Sequence, residues 1–198
     1  MKTIVIATKN KGKAREYSEM ISPLGIQVQT LADFPTFQIN ENGQTFEENA
    51  LIKARTAVKQ LGVPVMADDS GLMVDALGGA PGVHSARYAG DHDDQANNQK
   101  LLSELAGVDD LYRSAHFHTT IVGLKPNGAQ LITEGRVDGH ILRNPQGYNG
   151  FGYDPLFYVD ELGCSMATLT DEQKNAVSHR GRALQKFMEQ FSNWWLTE

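Results

Sequence analysis

Lys9, Lys11, Lys13 and Arg15 crowd four cations into "TKNKGKAR", residues 8–15, directly behind a short apolar run. A strand, a glycine-containing turn and a helix start form an anion site, because the first N–H groups of a helix have no partner within it. Lysines add point charges suited to phosphate. The Walker pattern is absent: Ala14 follows the Gly-Lys pair, and no glycine stands at the earlier spacing. The alternative is a solvated basic turn. Further on, "ADDSG" (67–71) sets Asp68 and Asp69 at the end of an apolar segment, where a polar pair is costly without partners. Neighbours in extended chain point to opposite sides, so the two aspartates are expected to hold different roles, one binding a cation or acting as base. An Asx-turn is the plainer reading of the pair. Ser70 offers a hydroxyl beside them. Glu41, in a polar stretch, gains meaning only as a second oxygen ligand, since Mg²⁺ uses one or two carboxylates plus substrate phosphates.

Two later segments carry recognition chemistry. "GFGYDP" (150–155) combines Phe151 and Tyr153, able to stack on a base, with Asp154, able to accept from an N–H edge. A turn with core aromatics would read the same way. "KNAVSHRG" (174–181) brings Lys174, Ser178 and His179 near one helical face, with Arg180 beside them. Gly181 within that pattern permits a close approach or a break. His116 and His118 share a strand face without a recognisable third metal ligand, and core or surface positions are expected for both.

These groups need a scaffold. "KTIVIAT" (2–8) reads as a buried strand, apolar and β-branched rather than alternating. Ala14, Tyr17, Ile21 and Leu24 then follow helical spacing from Lys13 to Gly25. "IQVQTL" (26–31) alternates as a second strand. Thr45 and Glu48 have capping-box spacing ahead of a helix that ends at Gly62, and "VPVMA" (63–67) is a short strand ending at the aspartates. Residues 78–90 read as loop, 94–107 as helix, and 114–125 and 129–142 as a hairpin joined by "PNG". A final amphipathic helix is expected from Thr170, with Gln173 at capping-box spacing, through Gly181 to about Phe191. The mixture implies an α/β fold with a mixed sheet in a single domain, 1–198.

Composition narrows the partners. With 198 residues, 40% hydrophobic and 21% charged, the chain is ordinary for a globular protein. Its net charge of −6 argues against general affinity for nucleic acid or anionic membranes, so the basic cluster is aimed at something small. Cys164 stands alone, which excludes an internal disulfide and favours a reducing compartment; as a catalytic thiol it has little support. The first apolar run is too short to span a bilayer and lacks a signal-peptide pattern. A cytoplasmic location is expected.

"TKNKGK", "TFEENALIKA", "ADDSGL", "GGAPGVHSARYAG", "GFGYDPLF" and "SHRGRAL", in this order over nearly the whole chain, resemble the inosine-triphosphate pyrophosphatase family. The resemblance implies an elongated mixed β-sheet flanked by helices, two lobes with the active site in the cleft between them, and a homodimer. It implies Mg²⁺-dependent hydrolysis of non-standard purine nucleoside triphosphates (ITP, dITP, XTP) to the monophosphate and pyrophosphate. By the same resemblance Thr8, Lys9, Asn10, Lys11, Gly12 and Lys13 hold phosphate, and Asp69 is general base and metal ligand. Ser70 touches substrate, and Phe151, Gly152, Tyr153 and Asp154 line the nucleotide pocket with Lys174, His179 and Arg180. Some relatives carry an acidic pair ahead of the capped helix; here Asn40 precedes Glu41, leaving Glu41 as the anionic metal ligand at that place. A Maf-type nucleotide pyrophosphatase is the nearest rival, but its Ser-rich, arginine-bearing start differs from "TKNKGK". A regulator that binds nucleotide without turnover is disfavoured, because carboxylates beside polyphosphate repel unless a metal intervenes.

Overall fold

The computed structural model describes residues 3–8, 10–91 and 93–196, and for Lys11 the backbone alone. Among the described residues seven strands form one open mixed sheet in the order β2-β1-β3-β4-β5-β6-β7. They are β1 (Thr3–Ile6), β2 (Gln27–Thr30), β3 (Val65–Val74), β4 (Ser114–Leu124), β5 (Gln130–Ile141), β6 (Phe157–Val159) and β7 (Cys164–Ser165). β1 pairs in parallel with β2 and β3, whereas β6 is antiparallel to both β5 and β7. The helices are α1 (Lys11–Ile21), α2 (Phe46–Leu61), α3 (Asp94–Glu104), α4 (Asp171–Val177) and α5 (His179–Leu196). Among the described residues no helix is long and apolar enough to cross a membrane.

The chain divides into two compact units. The first comprises Met1–Asp69, Thr120–Glu134 and Ala183–Glu198, and the second Ser70–Thr119 and Gly135–Arg182. In the first unit β1 is buried on both faces, as its unbroken apolar run requires. Ile4 and Ile6 join Tyr17 and Ile21 of α1 and Phe187 and Trp194 of α5; Val5 and Ala7 join Ala50, Ala54 and Ala57 of α2. Small residues on that face of α2 let the helix lie close against the sheet. Each fully buried Ile or Val contributes roughly 1.5–3 kcal/mol. The second unit has its own core, in which Leu72 and Val74 pack with Leu101, Phe117, Val137 and Phe157.

Local signals are realised at both capping boxes, Thr45 with Glu48 and Thr170 with Gln173. Four departures from the sequence expectation bear on the candidate site. α1 begins at Lys11 because Asn10 caps it, its side chain accepting from Lys13 N. β3 does not stop at the aspartates but runs on to Val74, since partners from α1 and α2 satisfy the buried carboxylates. Residues Gly82–Arg87 form a 3₁₀ helix rather than loop. The terminal helix is two helices, broken where Ser178 adopts an extended ψ of 159°. Gly181 is the close approach: a Cβ there would stand 1.7 Å from the Asn175 carbonyl oxygen.

Candidate functional site

In the first unit the basic turn is closed by its own side chains. Thr8 Oγ1 accepts from Asn10 N at 3.1 Å, and Asn10 Oδ1 accepts from Lys13 N at 3.1 Å, which orders the first turn of α1. Gly12 lies within that turn. Lys9 lies outside the described residues, as does the Lys11 side chain.

Strand alternation decides where the two aspartates go. Asp68 shares a β3 face with Met66, which packs with α1, and its Oδ2 takes Lys13 Nζ at 2.6 Å. Asp69 shares the other face with Val65 and Ala67, which pack against α2. There Asp69 Oδ2 accepts from Asn49 Nδ2 at 3.2 Å and Oδ1 from Lys53 Nζ at 3.2 Å. The same ammonium lies 2.7 Å from Glu41 Oε2. Adjacent carboxylates therefore serve different cations, as their alternation requires.

Burial pushes the Asp69 carboxyl above the usual carboxylate range, and the charges of Lys53 and Lys13 offset only part of that rise. For Lys53 burial acts downward, yet the fields of Asp69, Asp68 and Glu41 outweigh it and raise its pKa. Lys53 is thus a firmly held cation between two carboxylates. Glu41 and Asp69 already present hard oxygen donors to one shared positive charge, a donor set that fits a small divalent ion. Among the described residues no group of three or more His, Cys, Asp or Glu forms a metal cage, so substrate oxygens would have to complete the coordination.

In the second unit the "GFGYDP" turn and the α4–α5 break meet. Lys174 Nζ lies 2.6 Å from Asp154 Oδ2, with both side chains only 5% exposed. The same Oδ2 accepts from Phe151 N at 2.9 Å, so Asp154 staples its own turn as well as Lys174. Lys174 Nζ and Arg180 Cζ lie 4.6 and 4.9 Å from the Phe151 ring centroid. His179 stacks on Phe117 with centroids 4.8 Å apart, and its Nε2 lies 3.1 Å from Arg180 Nη1. Guanidinium has no acceptor, so Nε2 accepts and the neutral ring carries its proton on Nδ1. Tyr153 turns into the core and donates to the Ser85 carbonyl at 2.9 Å. Ser70 Oγ lies 2.6 Å from Thr119 Oγ1.

Thr8, Asn10, Lys13, Glu41 and Asp69 thus belong to the first unit, and Ser70, Phe151, Gly152, Tyr153, Asp154, Lys174, His179 and Arg180 to the second. Asn49 and Lys53 escaped the sequence reading. Their signal is the i, i+4 spacing of two polar residues flanking Ala50 and Ala54 on a helix face turned to the sheet.

Known proteins match this chain over nearly its whole length. The family model described as the Ham1 family matches residues 4–190. A dITP/XTP pyrophosphatase of Lactiplantibacillus plantarum is 57% identical over 98% of this chain and 96% of its own. One from Bacillus anthracis is 49% identical over 100% of both. The solved structure of a HAM1 protein from Coxiella burnetii superposes with a TM-score of 0.90 at 45% identity, covering 98% of this chain and 100% of that one. The Staphylococcus aureus Ham1 protein gives a TM-score of 0.88 at 41% identity, covering 97% and 99%.

Proposed function

The chain belongs to the Ham1 family, and from that membership we propose its reaction and the residues that carry it. It hydrolyses non-standard purine nucleoside triphosphates (dITP, ITP and XTP) to the nucleoside monophosphate and pyrophosphate, keeping deaminated purines out of DNA and RNA. Lys13 and the N–H groups at the start of α1 hold the phosphates, with Thr8, Lys9, Asn10, Lys11 and Gly12 shaping the same loop. Asp69 takes a proton from the attacking water, whose oxygen bonds to the α-phosphorus as the α–β anhydride breaks and pyrophosphate leaves. Its raised basicity brings the carboxylate nearer to neutral pH, where a general base works best. Asn49 and Lys53 fix its orientation. Glu41 and Asp69 would hold Mg²⁺, which supplies charge neutralisation at the polyphosphate.

In the second unit Phe151 stacks on the purine, while Gly152, Tyr153 and Asp154 shape the loop that carries it. Lys174 and Ser70 bind substrate. His179 accepts from Arg180 and so orients the guanidinium, whose remaining donors meet the 6-oxo group. ATP presents a 6-amino donor there and is disfavoured. The whole chain, 1–198, works as one catalytic domain, as a cytoplasmic homodimer that binds neither nucleic acid nor membrane.

The observation that carries this reading is the chain of charges Lys13–Asp68 and Glu41–Lys53–Asp69 beside a helix start. Turnover of ITP, dITP, XTP, ATP and GTP with Mg²⁺ tests it. The deaminated purines should exceed ATP by at least ~10²-fold in kcat/KM, because a site built for one polar edge rejects its opposite. Equal rates on ITP and ATP would contradict it.

A further inference from the structure

Three polar side chains in the first half of α3 bond to loop backbone, and they differ in kind. Asn97 is buried, and its Oδ1 accepts from Ala89 N at 2.7 Å and Gly90 N at 3.2 Å. That is a loop staple with its acceptor satisfied. Asp94 and Asn98, one turn apart on a neighbouring face, close on a single residue of the ring-bearing turn. Asp94 Oδ2 accepts from Gly152 N at 2.7 Å, and Asn98 Nδ2 donates to Gly152 O at 2.9 Å. Both main-chain polar groups of Gly152 are therefore held by one helix.

Two features separate this clamp from ordinary packing. Asn98 Oδ1 is buried and has no hydrogen-bond partner among the described residues, so the side chain is kept at a cost in stability. Flipping the amide would set oxygen against the Gly152 carbonyl, so the donor is fixed towards it. Asparagine in a helix interior is also a weak helix former, which adds to that cost. The held residue, moreover, has φ +64°, a backbone shape that glycine adopts readily, and it directly follows Phe151. The turn at Gly152 sets the direction in which the Phe151 ring leaves the chain, towards Lys174 and Arg180.

We propose that Asp94 and Asn98 are positioning residues for base recognition: by gripping both polar groups of Gly152 they hold the Phe151 ring in place and so set how tightly the purine binds. The inference rests on Phe151 stacking on the base. It requires the clamp to act on base affinity and to leave the phosphate-holding groups, which belong to the other unit, unchanged.

The test compares ITP kinetics with inhibition by inorganic tripolyphosphate, a ligand that has phosphates and no base. Asn98→Ala and Asp94→Ala should each raise KM for ITP roughly tenfold, the loss of about one hydrogen bond. kcat should stay within about twofold and tripolyphosphate inhibition should not move. Asp94→Asn keeps an acceptor for Gly152 N and should restore KM. Asn98→Asp preserves shape but sets oxygen against the Gly152 carbonyl; it should reproduce the alanine effect even if Asn98→Ala folds poorly. Parallel weakening of ITP and tripolyphosphate, a fall in kcat at constant KM, or an Asp94→Asn variant as impaired as Asp94→Ala would overturn the proposal. A wild-type protein that binds tripolyphosphate but shows no preference for purine nucleotides would instead overturn the stacking of the base on Phe151.

Discussion

Replacing Lys53 with methionine keeps most of the side-chain volume and removes the charge shared by Glu41 and Asp69. The Lys53 side chain is 11% exposed, that of Glu41 33% and that of Asp69 12%. Removing one partner of a buried ion pair costs ~3–5 kcal/mol, because the remaining charge is left uncompensated. Water reaches Glu41 and screens part of that loss, leaving about 2–3 kcal/mol. For a chain of this length each kcal/mol moves Tm by ~2–4 °C, so Lys53→Met should melt about 4–12 °C below wild type in EDTA. A divalent ion that binds only the folded state then stabilises the variant more than the wild type, because the two carboxylates no longer have an internal cation competing for them. The assay is a thermal melt of both proteins in EDTA and across a Mg²⁺ titration. A variant melting within about 1 °C of wild type in EDTA, or an equal Mg²⁺ gain in both, would refute the idea that Glu41 and Asp69 share one cation site.

Asp69→Asn should retain the bond to Asn49 or Lys53 through its amide while losing the base, lowering kcat by at least ~10²-fold with little change in KM; steady-state kinetics check this, and near-normal kcat would remove Asp69 from the proton transfer. Gly181→Ala drives a methyl group into the Asn175 carbonyl, and a backbone contact cannot rotate away. It should cost about 1–3 kcal/mol in urea unfolding and lower kcat/KM, because Arg180 and His179 are adjacent. His116 is held below its ordinary value of 6.5 by burial and then by Arg136 and His118, against the opposing fields of Asp138 and Asp75. The unfolded chain thus takes up the proton first as pH falls: this stability is complete above about 6.5 and is lost as pH drops towards the folded value. His116→Gln should flatten that part of the stability–pH curve, and an NMR titration of His116 should give a pKa below 6.5.

The elements legible in the sequence are those whose information is local. The unbroken apolar run of β1 and the capping boxes at Thr45 and Thr170 need only neighbouring residues to be interpreted. β3 reads as shorter than it is, because Asp68 and Asp69 look like a strand end when their partners are out of view. Those partners, Lys13, Asn49 and Lys53, stand 55, 20 and 16 residues away along the chain. Lys53 itself reads as one more solvent-facing lysine until α2 is docked and its alanine face fixes which side turns to the sheet. The break at Ser178 was hidden because apolar spacing continues across it, with neither proline nor glycine at the break itself. Of the candidate site residues, the cations of the first turn and the aspartate pair stand out in the sequence by type and order. Asp94 and Asn98 do not, since gripping a glycine's main chain leaves no mark in the glycine's own surroundings in sequence.

The central claim is that the α–β anhydride is the bond broken, and the phosphorus-containing products report on it directly. ITP incubated with the protein and Mg²⁺ should give IMP and inorganic pyrophosphate by ³¹P NMR, in equal amounts from the first time point, and in ¹⁸O-labelled water the label should enter IMP if the α-phosphorus is attacked. IDP with orthophosphate as the first products would contradict the account, because the γ-phosphoryl group alone would then be leaving.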